Sequence, residues 1–239
     1  MNQEELIKEL KRNLNDDLAA KEAAHFLSQI ELRESLDYLI SLLEEKISKE
    51  KKIEIIQILG NSKEMKAIEP LKKMLSDENE EIKVSALYSL IKIGNPAVIP
   101  ILEDATNIKE LKAVALEGLG EMADLIPRER KEKIVDILLG SLNSEETKEK
   151  AIESLGKIRD KKAISYLIKL FGDSSKEIKK MILKSLSDIG GEEAKEFLWQ
   201  RLKEEREIKA EIIGYLEKLY FQRGDIISSG VMPLNRGLS

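Results

Sequence analysis

The chain has 239 residues, of which 42% are hydrophobic and 36% charged, and a formal net charge of −5. That apolar fraction is enough to fold, which argues against global disorder, and the absence of cysteine excludes disulfides, thiolate metal sites and a cysteine nucleophile. A single histidine, His25, excludes a multi-histidine metal site, so neither a metal nor a cofactor is expected.

The charge is unevenly placed. Residues 1–50 carry 12 acidic and 7 basic groups, and the remainder is balanced at 33 of each. Such a balance does not mark a polyanion binder. The first thirty residues lack a basic segment followed by an apolar one, and no 18-residue apolar run occurs. No secretory signal and no membrane span are therefore expected, and the cytoplasm is the expected location. Abundant Lys, Glu and Ile with only five Gln fits a thermophilic prokaryote.

In chain order, apolar residues at helical spacing predict first helices over about 4–14, 34–46, 66–75, 97–105, 128–141, 161–171 and 192–203. Each is followed by a second helix centred on an anchor leucine: Leu27, Leu59, Leu90, Leu119, Leu155, Leu186 and Leu216. The gaps between anchors are 32, 31, 29, 36, 31 and 30 residues. A period of this size without a strand pattern means stacked helical hairpins, seven of them with fourteen helices. In the clearest unit, Ala67, Ile68, Leu71, Met74 and Leu75 form one apolar face. The polar turn Ser76-Asp77-Glu78-Asn79 follows, and Ile82, Ala86, Leu87, Leu90 and Ile93 form the second face. Gly94-Asn95-Pro96 then ends one helix and opens the next. The residue after the anchor is mostly small (Ser28, Gly60, Gly120, Gly156, Ser187), which lets adjacent helices approach closely, although Ile91 and Glu217 break the column.

The strings Asp77…Ile82-Lys83…Ala86…Leu90…Ile93-Gly94 and Asp173…Ile178-Lys179…Ile182…Leu186…Ile189-Gly190 resemble the HEAT repeat. Pro70 and Pro100 stand where such repeats often carry a proline that bends the first helix. The short period and Asp160-Lys161-Lys162-Ala163-Ile164 before Leu167 resemble most the HEAT-like repeats of the phycobilisome-lyase group. The resemblance implies an all-α fold, a right-handed α-α superhelix (solenoid) over residues 1–220, with 221–239 as a non-repeat tail. It also implies that the second helices line a concave face.

Lys52, Lys83, Lys112, Lys148, Lys179 and Lys209 recur three residues before the Ala/Ile position of the second helix. Such a ladder could track a phosphate backbone. The resemblance instead implies a structural ladder, the lysine pairing with an Asp six residues earlier; Asp77–Lys83 and Asp173–Lys179 keep that spacing, and the turns before the other four lysines depart from it.

On the second helices, three residues spaced by four form the outward stripe of each repeat. The stripes run Lys21/His25/Gln29, Ile53/Gln57/Asn61, Val84/Tyr88/Lys92, Ala113/Glu117/Glu121, Glu149/Glu153/Lys157, Lys180/Lys184/Asp188 and Ala210/Gly214/Lys218. Ile53, Val84, Tyr88 and Ala113, with Val114 beside them, make an apolar zone. Glu117, Glu121, Glu149 and Glu153 make an acidic zone. Together these nine residues suit a protein or peptide partner of basic and apolar character.

Paired carboxylates on an open helix face lack the desolvated pocket that acid–base catalysis needs, so no catalytic residue is expected. Related di-iron hydroxylases use repeated His-Glu pairs, but His25 is followed by Phe26. Two further readings are a lyase-like protein acting with a partner subunit on a protein-bound chromophore, and a nucleic-acid-binding solenoid. The low aromatic content and acidic groove disfavour nucleic acid. Two irregular segments remain, the long connection around Ala123–Arg130 and the tail. The tail mixes Gly224, Gly230, Pro233 and Gly237 with Ile226, Ile227, Val231, Met232, Leu234 and Leu238. It is suited to capping the last repeat or to self-association.

Overall fold

The computed structural model describes residues 33–221, together with residues 8, 9, 12, 13, 23 and 26. The expected first hairpin around Leu27, its stripe Lys21/His25/Gln29 and the tail beyond Phe221 lie outside the continuous described segment. Among the described residues the regular structure is helical, in twelve α-helices: α1 (Arg33–Leu42), α2 (Lys49–Ser62), α3 (Ile68–Met74), α4 (Glu80–Ile93), α5 (Ile99–Ala105), α6 (Lys112–Glu121), α7 (Arg128–Ser141), α8 (Lys148–Ile158), α9 (Ala163–Phe171), α10 (Lys176–Ile189), α11 (Glu192–Glu204) and α12 (Lys209–Phe221). They alternate as first and second helices of six hairpins, the arrangement of an α-solenoid. None of the described helices is long and apolar enough to cross a membrane.

The chain divides into two compact units, Met1–Ile134 and Val135–Ser239. In the first, second helices α2, α4 and α6 pack side by side, and α3 and α5 pack on α4 and α6 respectively. In the second, α8, α10 and α12 repeat that row, with α9 on α10 and α11 on α12. The core is the set of faces that the period marks. Leu59, Leu90, Leu119, Leu155 and Leu186 are wholly inaccessible, and Leu216 is 5% exposed.

Local chemistry starts and stops these helices. Ser48 Oγ accepts from Lys51 N, Asn79 Oδ1 from Glu81 N and Ile82 N, and Ser175 Oγ from Ile178 N. Each satisfies N–H groups that the first turn leaves without carbonyl partners. Gly94 ends α4 at φ +67, a left-handed conformation that glycine adopts without steric cost. Lys63 and Arg159 end α2 and α8 in the same conformation, at φ 55 and 56.

Pro70 and Pro100 stand where 3-10 backbone gives way to α-helix in two of the first helices. The 3-10 turns Met65–Ala67 and Pro96–Val98 lead into α3 and α5. Each proline then falls within the first turn of its α-helix, where its missing N–H removes no intrahelical bond. At the long connection, a 3-10 turn at Ala123–Leu125 precedes Pro127, and α7 begins at Arg128.

Close approach within the second-helix row is set by a pair of columns. A β-carbon on Gly60 would lie 2.6 Å from Ser89 Cβ, and one on Gly156 would lie 2.9 Å from Ser185 Cβ. The glycine follows one anchor and the serine precedes the next. Between Leu90 and Leu119 the sizes are exchanged: Ile91 is the large member, and a β-carbon on Gly118 would lie 2.5 Å from its Cδ1. The exception at Ile91 is thus compensated one repeat later.

Candidate interaction groove

In the first unit, α2 and α4 bring two of the expected stripes together. Ile53, Gln57 and Asn61 from α2 and Val84, Tyr88 and Lys92 from α4 all line one open groove of about 760 Å³. The remaining lining residues are Asn79, Glu80, Glu81, Ser85 and Ser89. The stripe rule found six of these eleven. Ser89 was findable as the small residue before an anchor, a column shared with Ser154 and Ser185. Asn79, Glu80 and Glu81 enter because they start α4, which the stripes did not consider.

The lining is chemically mixed. Tyr88 is 48% exposed, among the most open large apolar side chains described, and Ile53 and Val84 are half-buried. Asn79 is committed to capping α4, and Glu81 pairs with Lys49 at 3.1 Å. Ser85 Oγ is buried and has no hydrogen-bond partner among the described residues. A hydroxyl in that position keeps a donor and an acceptor in reserve on the groove wall.

The α6 stripe continues from the groove. The Tyr88 hydroxyl donates to Glu117 Oε2 at 3.5 Å, a long contact spanning one repeat. Ala113, Val114 and Glu117 are half-buried, and Glu121 is exposed one turn beyond Glu117. Glu149 and Glu153 lie in the second unit, four residues apart on α8, with Glu149 exposed and Glu153 half-buried. Elsewhere in that unit stripe charges neutralise one another: Lys218 bonds Asp188, one repeat apart.

Two ladder lysines, Lys52 and Lys179, bond acidic groups of the next repeat and not the expected ones, whereas Lys148 pairs locally with Glu145. Lys52 Nζ donates to Asp77 Oδ2 at 3.0 Å, and Asp77 Oδ1 accepts from Asn79 N at 2.9 Å. Burial alone would push the Asp77 carboxyl up. The Asn79 N–H, the Lys52 hydrogen bond and charge, and the charge of Lys83 outweigh it and hold the group below the usual carboxylate range. Lys83 therefore acts on Asp77 through its field, while the direct bond comes from the preceding repeat. Lys179 likewise reaches forward to Glu205 at 3.7 Å, and Asp173 is exposed. The lysine sits at the start of one second helix and its partner in the turn before the next. A six-residue offset within one repeat cannot see that step.

A second ionic joint is more buried. Glu103 on α5 is 3% exposed, yet it binds Arg130 at 2.9 Å and Lys133 at 2.6 Å on α7. Burial would raise its carboxyl; the two hydrogen bonds and two positive charges lower it below the usual carboxylate range. This joint ties the start of α7 to the repeat before the long connection.

Among solved structures, an engineered protein shares 20% identity, covering 92% of this chain and 68% of its own, with a TM-score of 0.56. The CpcE–CpcF complex of phycocyanin lyase from Nostoc sp. PCC7120 shares 14% identity over 89% of this chain and 94% of its own, with a TM-score of 0.53. Human deoxyhypusine hydroxylase shares 14% identity over 89% and 95%, at a TM-score of 0.46. For the engineered protein and the lyase complex the likeness is one of fold alone. No protein of curated function matches by sequence. The family profile described as HEAT repeats matches residues 36–120 and 131–217, most of the chain, and the protein belongs to the HEAT-repeat family.

Proposed function

We propose that this protein is a non-enzymatic interaction scaffold that takes a basic and apolar peptide segment of a protein partner along the α2/α4 groove. The observation that carries this reading is the groove itself: two of the expected stripes line one cleft that also holds a buried hydroxyl without a partner among the described residues. Ile53, Val84 and Tyr88 supply apolar contacts, with Ala113 and Val114 extending them on α6. Glu117 and Glu121 supply negative charge beside Tyr88, and Glu149 and Glu153 provide a second acidic pair in the other unit. Repeat scaffolds gain affinity from extended surfaces of this kind rather than from a closed pocket.

The test is fluorescence anisotropy with labelled peptides that alternate Arg or Lys with Leu or Tyr, against acidic peptides and duplex DNA of equal length. The basic-apolar peptides should bind, and binding should weaken as salt rises, because rim charges are screened within about 8–10 Å. Tyr88→Ala should weaken binding, and so should Glu117→Lys combined with Glu153→Lys, while the helical melt stays nearly unchanged. Unaltered affinity in both variants would remove the groove assignment. A mobility shift on DNA with no peptide binding would replace it with the nucleic-acid reading.

A further inference from the structure

The last hairpin carries an apolar face that every earlier described repeat covers. The residue three before the anchor leucine is Ile56, Leu87, Leu116, Ile152 and Leu183 in turn, each 0% exposed. In α12 the same position is Ile213, and it is 51% exposed. The difference follows from position, since no further hairpin follows α12 among the described residues. Ile213 and Tyr220 share one side of α12, two turns apart. Trp199 on α11 is 45% exposed and donates from Nε1 to the Tyr220 hydroxyl at 3.0 Å.

The end is only partly adapted to water. Lys195 follows the buried Ala194 of α11, as Ile164 follows Ala163 in α9 and Ile68, the first residue of α3, follows Ala67. Its ammonium binds Glu192 at 3.0 Å and sits 5.2 Å from the Tyr220 ring centre. A charged side chain thus stands where the earlier repeats carry an apolar one. Ile213 is still apolar.

We propose that residues 222–239 cover this face, in the place a further hairpin would take. The segment follows directly on Phe221, the last residue of α12. Its 18 residues include Ile226, Ile227, Val231, Met232, Leu234 and Leu238, too apolar for a solvated tail. Gly224, Gly230, Pro233 and Gly237 give it a composition unlike that of the helical repeats before it. Reach is ample, because an extended chain of this length spans up to about 60 Å while two helical turns span about 11 Å. A tethered segment meets the face at an effective concentration on the order of millimolar, whereas a second copy must lose translational and rotational freedom to do so. This surface is distinct from the α2/α4 groove.

The chain has no cysteine, so a single introduced thiol reports one position. Ile213→Cys should react with a maleimide about tenfold more slowly in the full chain than in a chain ending at Phe221, the ratio set by a covered population about ten times the open one. Glu121→Cys, exposed on α6, should react equally in both. If the shortened chain fails to fold, the full chain with Ile226→Asp, Ile227→Asp and Leu234→Asp takes its place as the uncovered reference. Equal rates for Ile213→Cys with and without an intact tail would overturn the proposal. Protection that vanishes on dilution would also overturn it, by assigning the face to a second copy.

Discussion

Gly60 on α2 lies against Ser89 on α4 so closely that a β-carbon on the glycine would stand 2.7 Å from the Ser89 Cα. Backbone cannot yield as a side chain can. Gly60→Ala should therefore force the helices apart, at about 1–3 kcal/mol, the usual range for overpacking a tight interface. It should also deform the groove, since Ser89 lines it. Gly118→Ala meets the tip of Ile91 rather than backbone. Its clash should be relieved by Ile91→Ala, whereas Ser89→Gly should rescue Gly60→Ala incompletely. Chemical denaturation of both double-mutant cycles measures the difference, and equal coupling in the two cycles would refute the size-exchange account.

This pairing also shows how far the sequence could be read. The period and the 3.6-residue pattern located all six described hairpins, because burial of Leu59, Leu90 or Leu186 depends on each helix having one apolar side. The column of small residues after the anchors was visible too. Its meaning at Ile91 was hidden, because Gly118 compensates it in the next repeat and only the packed helices show which columns face each other. The Lys52–Asp77 bond was missed for the same reason. Period gives spacing along the chain, while ion pairs depend on the step between repeats. Six stripe residues line the groove, whereas the close approach of Gly60 to Ser89 beside them belongs to the packing and not to the stripe.

Lys63 and Arg159 should be places where glycine stabilises. Both hold the left-handed conformation that Gly94 holds at the equivalent place. A side chain there costs about 1–2 kcal/mol, partly offset by the extra unfolded-state freedom of glycine. Neither residue is buried. Arg159→Gly and Lys63→Gly should each raise stability by about 0.5–1 kcal/mol, read as a higher urea midpoint at unchanged slope. An unchanged or lower midpoint would count against cap strain at these sites.

The Glu103 joint predicts a pH dependence of defined sign. Its carboxyl is held below its ordinary value in the folded chain, so it stabilises the fold above the unfolded pKa. That contribution is lost as pH falls through the lowered folded value. Glu103→Gln should cost about 1–3 kcal/mol at neutral pH, reduced from a fully buried pair because Arg130 and Lys133 are 38% and 64% exposed. The gap between wild type and variant should shrink on acidification through the carboxylate range, because the wild type loses its ionic contribution there. Denaturation midpoints from neutral to acidic pH follow it, and a gap that stays constant would show that packing rather than charge holds the joint. Asp77→Asn should behave in the same direction at the Lys52 bond.

Ser85 separates stability from binding in a single substitution. Its hydroxyl is buried against the groove without a partner among the described residues, which leaves a desolvation penalty there. Ser85→Ala removes the polar atom and places a stronger helix former inside α4. The variant should therefore be more stable by about 1 kcal/mol. If a bound peptide uses the hydroxyl, the same change should lower affinity by about 3- to 12-fold, the loss of a neutral hydrogen bond worth about 0.5–1.5 kcal/mol. A residue kept only for folding would not be improved by its own removal. Opposite signs in the melt and in anisotropy titration would tie Ser85 to ligand contact; a loss of stability in Ser85→Ala would show that the hydroxyl serves the helix packing instead.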